Sequence, residues 1–167
     1  RRTTVEEIEE KISYMRKTLK NCYIRTSIIV GFPGETDEHF NNLYEFTKRT
    51  RFDRMGVFTY SQEEGTAAAD FADQVAEDIK AERYDKLMSL QQEISLELNR
   101  AKIGTTLEVI VEGYDEDNYL FYGRSRGDSI DVDGKVYLGT EDEVMPGDII
   151  DVKILGASEY DLTGQRV

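Results

Sequence analysis

The chain has 167 residues, 39% of them hydrophobic and 10% aromatic, enough to build a core in one domain or two small ones. Its 21 Lys and Arg stand against 34 Asp and Glu, a net charge of −13, which disfavours general binding to nucleic acid or anionic membranes and suits a basic protein partner. Apolar runs such as Ile28-Ile29-Val30 fall far short of the roughly 20 residues a membrane helix needs, and the single Cys22 excludes an internal disulfide or a cysteine-built zinc or iron–sulfur site within these residues.

The chain starts at Arg1 without a secretory pattern, so we expect a piece of a longer protein from a reducing, cytoplasmic compartment. Val5, Ile8, Ile12, Met15 and Leu19 recur at spacings of three and four and predict a helix over 4–20, with Thr3 and Glu6 as a capping box. Residues 23–30 are rich in β-branched side chains and stop at Gly31-Phe32-Pro33-Gly34, which reads as a buried strand and a turn. Thr36 can cap a second helix with Phe40, Leu43, Tyr44 and Thr47 inward, and residues 55–60 form the next strand. Strand, helix and strand make a βαβ unit. A polar loop over 61–73 leads to a long helix, with Val75, Ile79, Tyr84, Leu87, Met88, Ile94, Leu98 and Ala101 roughly on one face and Gly104 as its stop.

After Gly104 the pattern changes. Short strands over 107–111, 120–124, 134–138, 149–154 and 160–164 alternate with turn signals such as Asp133-Gly134 and Pro146-Gly147-Asp148. Five strands of this kind predict a small closed barrel, with the domain boundary near residue 103. Residues 104–167 hold 5 basic and 15 acidic side chains, net −10, so most of the acidity belongs to the barrel.

The best local chemical signal is the turn Gly31-Phe32-Pro33-Gly34 with Glu35 and Thr36. Glycines let backbone approach a ligand, a helix start offers unpaired N–H groups, and α/β sheets bind ligands beyond the carboxyl ends of their strands. It is neither a phosphate loop nor a dinucleotide fingerprint, and on pattern alone an ordinary tight turn stays open beside the ligand-facing reading. Glu63 and Glu64 point oppositely on an extended segment, which argues against paired acid–base work. His39, the one histidine, reads as a surface residue.

Residues 26–36, residues 53–61 with Glu64-Gly65-Thr66, and Glu82-Arg83 with Leu90-Gln91-Gln92-Glu93-Ile94-Ser95 resemble the methylthiotransferases, a branch of the radical S-adenosylmethionine enzymes. Gly123-Arg124-Ser125, Asp131-Val132-Asp133-Gly134, Pro146-Gly147-Asp148 and Glu159-Tyr160-Asp161-Leu162 are similar to a TRAM domain. The resemblance is greatest to the branch acting on protein twelve of the small ribosomal subunit.

It implies an α+β chain of two domains. Residues 1–103 would be the C-terminal part of a radical-SAM partial (β/α) TIM-like barrel, and residues 104–167 a five-stranded OB-like TRAM barrel. In the full-length parent, S-adenosylmethionine and two 4Fe–4S clusters would serve to methylthiolate the β-carbon of an aspartate. This chain lacks the cluster cysteines, so by the resemblance it is inactive alone, with no catalytic residue and no metal ligand, and none of those cofactors is expected on it. The resemblance places Val30, Gly31, Phe32, Phe58 and Tyr60 against the cofactor, and Asp131, Asp133 and Arg124 against a basic ribosomal protein. Upstream domains of the parent would be further partners, with no membrane contact. The transfer-RNA branch of the family and a stand-alone TRAM-type binding module remain as alternatives, although the acidic barrel speaks against RNA.

Overall fold

The structure, a computed structural model, describes residues 3–140 and 143–167. It divides into two compact units, residues up to Ile94 and Ser95–Val167. No described helix is long and apolar enough to cross a membrane.

The first unit begins with α1 (Val5–Thr18). Its capping box lies one residue later than the sequence pattern suggests. Thr4 Oγ1 accepts from the Glu7 amide at 3.3 Å and Glu7 Oε2 accepts from the Thr4 amide at 3.2 Å. The helix stops at Thr18 because Leu19 is extended and Asn21 has a φ of +54°. Of the expected apolar stripe only Ile12 is buried, with Met15 packed on the same core, while Val5, Ile8 and Leu19 remain exposed.

Strand β1 (Arg25–Val30), helix α2 (Asp37–Thr50) and strand β2 (Arg54–Thr59) form the expected βαβ unit. The strands pair in parallel, from Arg25 opposite Arg54 to Val30 opposite Thr59. Val30, Met55 and Val57 point into a core with Ile12, Phe40, Phe52 and Leu87. Thr36 caps α2 by accepting from the His39 amide at 3.2 Å, and His39 itself is exposed. The opposite sheet face carries Ile29 and Phe58, register partners that are each 57% exposed. Parallel sheets are nearly always covered on both faces, so the open apolar face of this two-stranded sheet is unusual.

Helix α3 (Glu77–Arg100) buries a different face from the one the apolar pattern suggests. Leu87 and Ile94 are buried as expected, but so are Leu90, Lys80, Arg83, Gln91, Ser95 and Asn99, while Ile79 is 40% exposed. The buried positions keep the spacing of three and four, and five of the eight are polar. An apolar count cannot find such a stripe.

The second unit is a closed barrel of β3 (Thr106–Asp115), β4 (Leu120–Ser125), β5 (Val136–Gly139), β6 (Ile149–Ala157) and β7 (Leu162–Arg166), in the order β3-β4-β5-β7-β6. In β6, Ile150, Val152 and Ile154 point inward and Ile149, Asp151, Lys153 and Leu155 outward, the period-two pattern of a strand with one wet face. With Val109, Val111, Val136, Leu138, Val144 and Leu162 they fill the barrel. Each such side chain contributes about 1.5–3 kcal/mol by leaving water. Strand β3 runs past Val111, where the sequence pattern ends, because a bulge between Val111 and Gly113 resets its register with β4. A side chain on Gly123 would overlap the Ile110 carbonyl, so the β3–β4 contact requires glycine there. The last turns of α3 belong to this unit. Ser95 Oγ donates to the Glu159 carbonyl at 2.6 Å, and Asn99 Nδ2 donates to the carbonyls of Ser158 at 3.1 Å and Glu159 at 3.3 Å.

Candidate functional site

The turn at the carboxyl ends of β1 and β2 is built from backbone geometry first. Gly31 has a φ of +73° and Gly34 of +81°, left-handed conformations that favour glycine. The Glu35 amide donates to the Phe32 carbonyl at 2.9 Å, and the Gly34 amide donates to the Asp73 carbonyl at 2.8 Å. The end of β2 is tied to the end of β1 by the Tyr60 amide, which donates to the Val30 carbonyl at 2.8 Å.

Around this backbone lies a buried polar network. Glu35 Oε1 accepts from the Gly31 amide at 2.9 Å and from Arg83 Nη1 at 2.8 Å. Arg83 Nη1 also donates to the Glu35 carbonyl at 3.1 Å, and its Nη2 to Asp37 Oδ1 at 2.8 Å. Lys80 Nζ donates to the Tyr60 carbonyl at 3.0 Å and to Glu77 Oε1 at 2.6 Å, and lies 5.3 Å from the centre of the Tyr60 ring. Phe32 stands edge-on to Tyr60 with ring centres 5.2 Å apart, and 6.4 Å from Phe71. The Tyr60 hydroxyl is buried and has no hydrogen-bond partner among the described residues. Such a group costs about 1–3 kcal/mol, which a further polar group brought to the site would recover.

Of the cofactor residues the resemblance implies, Phe32 and Tyr60 come together here. The Val30 side chain is fully buried, so only its backbone is available. Gly31 uses its missing side chain to admit Lys80, because a Cβ there would overlap Lys80 Cγ. Phe58 lies apart, beside Ile29 on the open sheet face. Lys80 and Arg83, which complete the network, were not visible in an apolar reading of α3. The signal was there in their spacing to Leu87 on the inward stripe.

On the barrel, Arg124 and Glu112 pair across β3 and β4 at 2.6 Å. Asp133 Oδ2 accepts from the Ser129 amide at 2.6 Å and shapes the loop before β5. Asp131 is exposed with a φ of +57°, between Ile130 and Val132, which are 59% and 70% exposed. Lys135 Nζ lies 4.0 Å from the centre of the Tyr122 ring. The structure thus gives Asp133 and Arg124 internal partners and leaves Asp131 on the surface. Among the described residues, no group of three or more His, Cys, Asp or Glu side chains converges in a metal-holding arrangement.

Residues 103–167 match the family model of the TRAM domain, so the barrel is a TRAM domain. Over the whole chain the similarity is to curated proteins named ribosomal protein uS12 methylthiotransferase RimO. The Pelobacter propionicus protein is 48% identical over 99% of this chain and 37% of its own length. The Geobacter sulfurreducens protein is 47% identical over 100% of this chain and 37% of its own length. A Clostridium botulinum relative is 48% identical over 98% of this chain and 36% of its own length. The resemblance to methylthiotransferases read from the motifs therefore holds, and the chain spans about 37% of the length of the curated relatives it matches.

Proposed function

We propose that this chain is the C-terminal part of a RimO-type methylthiotransferase, which attaches a methylthio group to the β-carbon of an aspartate of ribosomal protein uS12 in the cytoplasm. The observation that carries this reading is the 48% identity to a protein of that name across 99% of the chain. In this reading residues 1–103 end the radical-SAM domain and residues 104–167 recognise the substrate. The open face of β1 and β2, with Ile29 and Phe58 exposed, supports a sheet whose second face is covered by other segments of the same parent.

Bound S-adenosylmethionine and two 4Fe–4S clusters would supply radical generation and the methyl group. One cysteine cannot provide the three thiolates of a site-differentiated cluster, so the cluster ligands must come from outside these residues. The turn fits the organic cofactor better. It lies at the carboxyl ends of parallel strands, exposes part of Phe32, and holds the unpartnered Tyr60 hydroxyl. Backbone at Gly31 and Phe32 would bind and orient the cofactor, and the Phe32 and Tyr60 rings would exclude water beside it.

The barrel's charge supports a cationic protein partner over RNA. Fifteen acidic side chains against five basic ones set a field that attracts uS12, if uS12 is basic, and repels phosphates. The test uses the full-length protein, reconstituted anaerobically and incubated with purified uS12. Mass spectrometry should find one added methylthio group on an aspartate of uS12. Modification of a transfer RNA instead, or of neither, would overturn the reading.

A further inference from the structure

The turn between β1 and α2 is gripped from behind by two cations of one helix. Lys80 and Arg83 are 3% and 5% exposed, and such residues are almost never so buried unless paired. With the exception of the Lys80 bond to Glu77, their hydrogen bonds go to the turn, to the start of α2 or to the end of β2. The Lys80 stem occupies the hollow at Gly31. Arg83 reaches the same glycine through one shared atom, because Glu35 Oε1 accepts both from Arg83 Nη1 and from the Gly31 amide.

We propose that Lys80 and Arg83 are positioning residues that hold the Gly31–Glu35 turn in the shape that binds S-adenosylmethionine. The proposal rests on the function proposed above. Stability alone does not account for the arrangement, since replacing a buried ion pair by apolar side chains of similar volume is often neutral or stabilising. What the fork of Arg83 fixes is geometry: two carboxylates and one carbonyl, from Glu35 and Asp37 at the turn and helix start, are set relative to each other. Ligand sites tolerate errors of only about 0.5 Å in such supports.

Two measurements test this. In the present chain, amide hydrogen exchange at Gly31 should speed up about tenfold or more in Arg83→Met, with the barrel amides of Val109 and Val152 unchanged. In the full-length protein, calorimetric titration should show S-adenosylmethionine affinity about tenfold weaker in Arg83→Met and in Glu35→Gln. The double variant should be no weaker than the worse single, because both act through one contact. Arg83→Lys, which keeps the charge but loses the fork, should fall between. Lys86→Met, which removes an exposed pair with Glu82 on the same helix, should bind normally. Thermal melts accompany each titration, and Glu35→Gln carries the test where Arg83→Met fails to fold. Normal affinity in folded Arg83→Met or Glu35→Gln, or additive losses in the double variant, would overturn the proposal. Failure of the wild-type full-length protein to bind S-adenosylmethionine would overturn the functional reading and this proposal with it. The exchange rate at Gly31 would still report whether Arg83 holds the turn.

Discussion

Lys80 fills the hollow that Gly31 leaves. A Cβ on Gly31 would overlap Lys80 Cγ, and the Gly31 backbone is left-handed at +73°. Gly31→Ala therefore meets two penalties, about 1–2 kcal/mol of backbone strain and about 1–3 kcal/mol of overpacking. A denaturant melt should show a loss in the range of about 2–5 kcal/mol. Adding Lys80→Ala removes the overlap but not the strain, so on that background the cost of Gly31→Ala should shrink toward the strain alone. Equal costs of Gly31→Ala with and without the lysine stem would sink the packing argument.

The same pair shows what the sequence could reveal. The glycine marked a strand-to-helix turn, because Gly31 and Gly34 interrupt β-branched and helical patterns where left-handed backbone is needed. Capping, periodicity and turn signals also located α2, the βαβ unit and all five barrel strands. What stayed hidden was the use made of the glycine. Lys80 and Arg83 are charged, and a charge on a helix is ordinarily read as a solvated face. Their burial depends on Glu35, Asp37 and the Tyr60 carbonyl, partners 20 to 48 residues away whose arrival no local pattern reports. Arg124 and Asp133 illustrate the converse. Both lie in the motifs that resemble a TRAM domain, yet each also has an internal partner that only the folded barrel supplies.

Asn99 anchors the end of α3 to the β6–β7 turn. It is fully buried, donates to two backbone carbonyls and accepts from Lys102 Nζ at 3.0 Å. Asn99→Ala strands these groups without water and leaves a void, for an expected cost of about 2–4 kcal/mol. Ser95→Ala, which loses one bond to Glu159, should cost about 1 kcal/mol. Denaturant melts of the two variants should rank them in that order, and a milder Asn99→Ala would contradict the anchoring role.

Asp115 closes the turn between β3 and β4. The Asn118 side chain donates to its carboxylate at 2.9 Å, and the amides of Asn118 and Asp117 add two bonds at 3.1 Å each. These bonds, led by the Asn118 side chain, hold the carboxyl below the ordinary aspartate value. A lowered folded-state pKa contributes stability above the unfolded pKa, and that contribution is lost as pH falls through the folded one. An NMR titration should place Asp115 below an unperturbed aspartate, and Asn118→Ala should bring it back up. A carboxyl that titrates normally in the wild-type chain would rule out the closed turn.

Asp131 and Asp133 sit two residues apart and should respond differently to charge reversal. Asp133 holds the Ser129 amide at 2.6 Å, so Asp133→Lys disrupts the loop and should lower the barrel's melting temperature. Asp131 is exposed, so Asp131→Lys meets only the modest strain of lysine in a left-handed backbone that aspartate tolerates better, and should lower the melt less than Asp133→Lys. If the proposed recognition of uS12 is electrostatic and acts through this loop, Asp131→Lys should still weaken binding to it. The loss should lie mainly in the association rate and be largest at low salt, because charges are screened over about 8 Å at physiological ionic strength. Surface plasmon resonance with the full-length protein and uS12, across a salt series, separates the two positions. A slower association for Asp131→Lys at low salt, converging with wild type as salt rises, is the expected outcome. Association that does not change at any salt would remove Asp131 from the docking surface and leave the loop's acidity without a role in recognition.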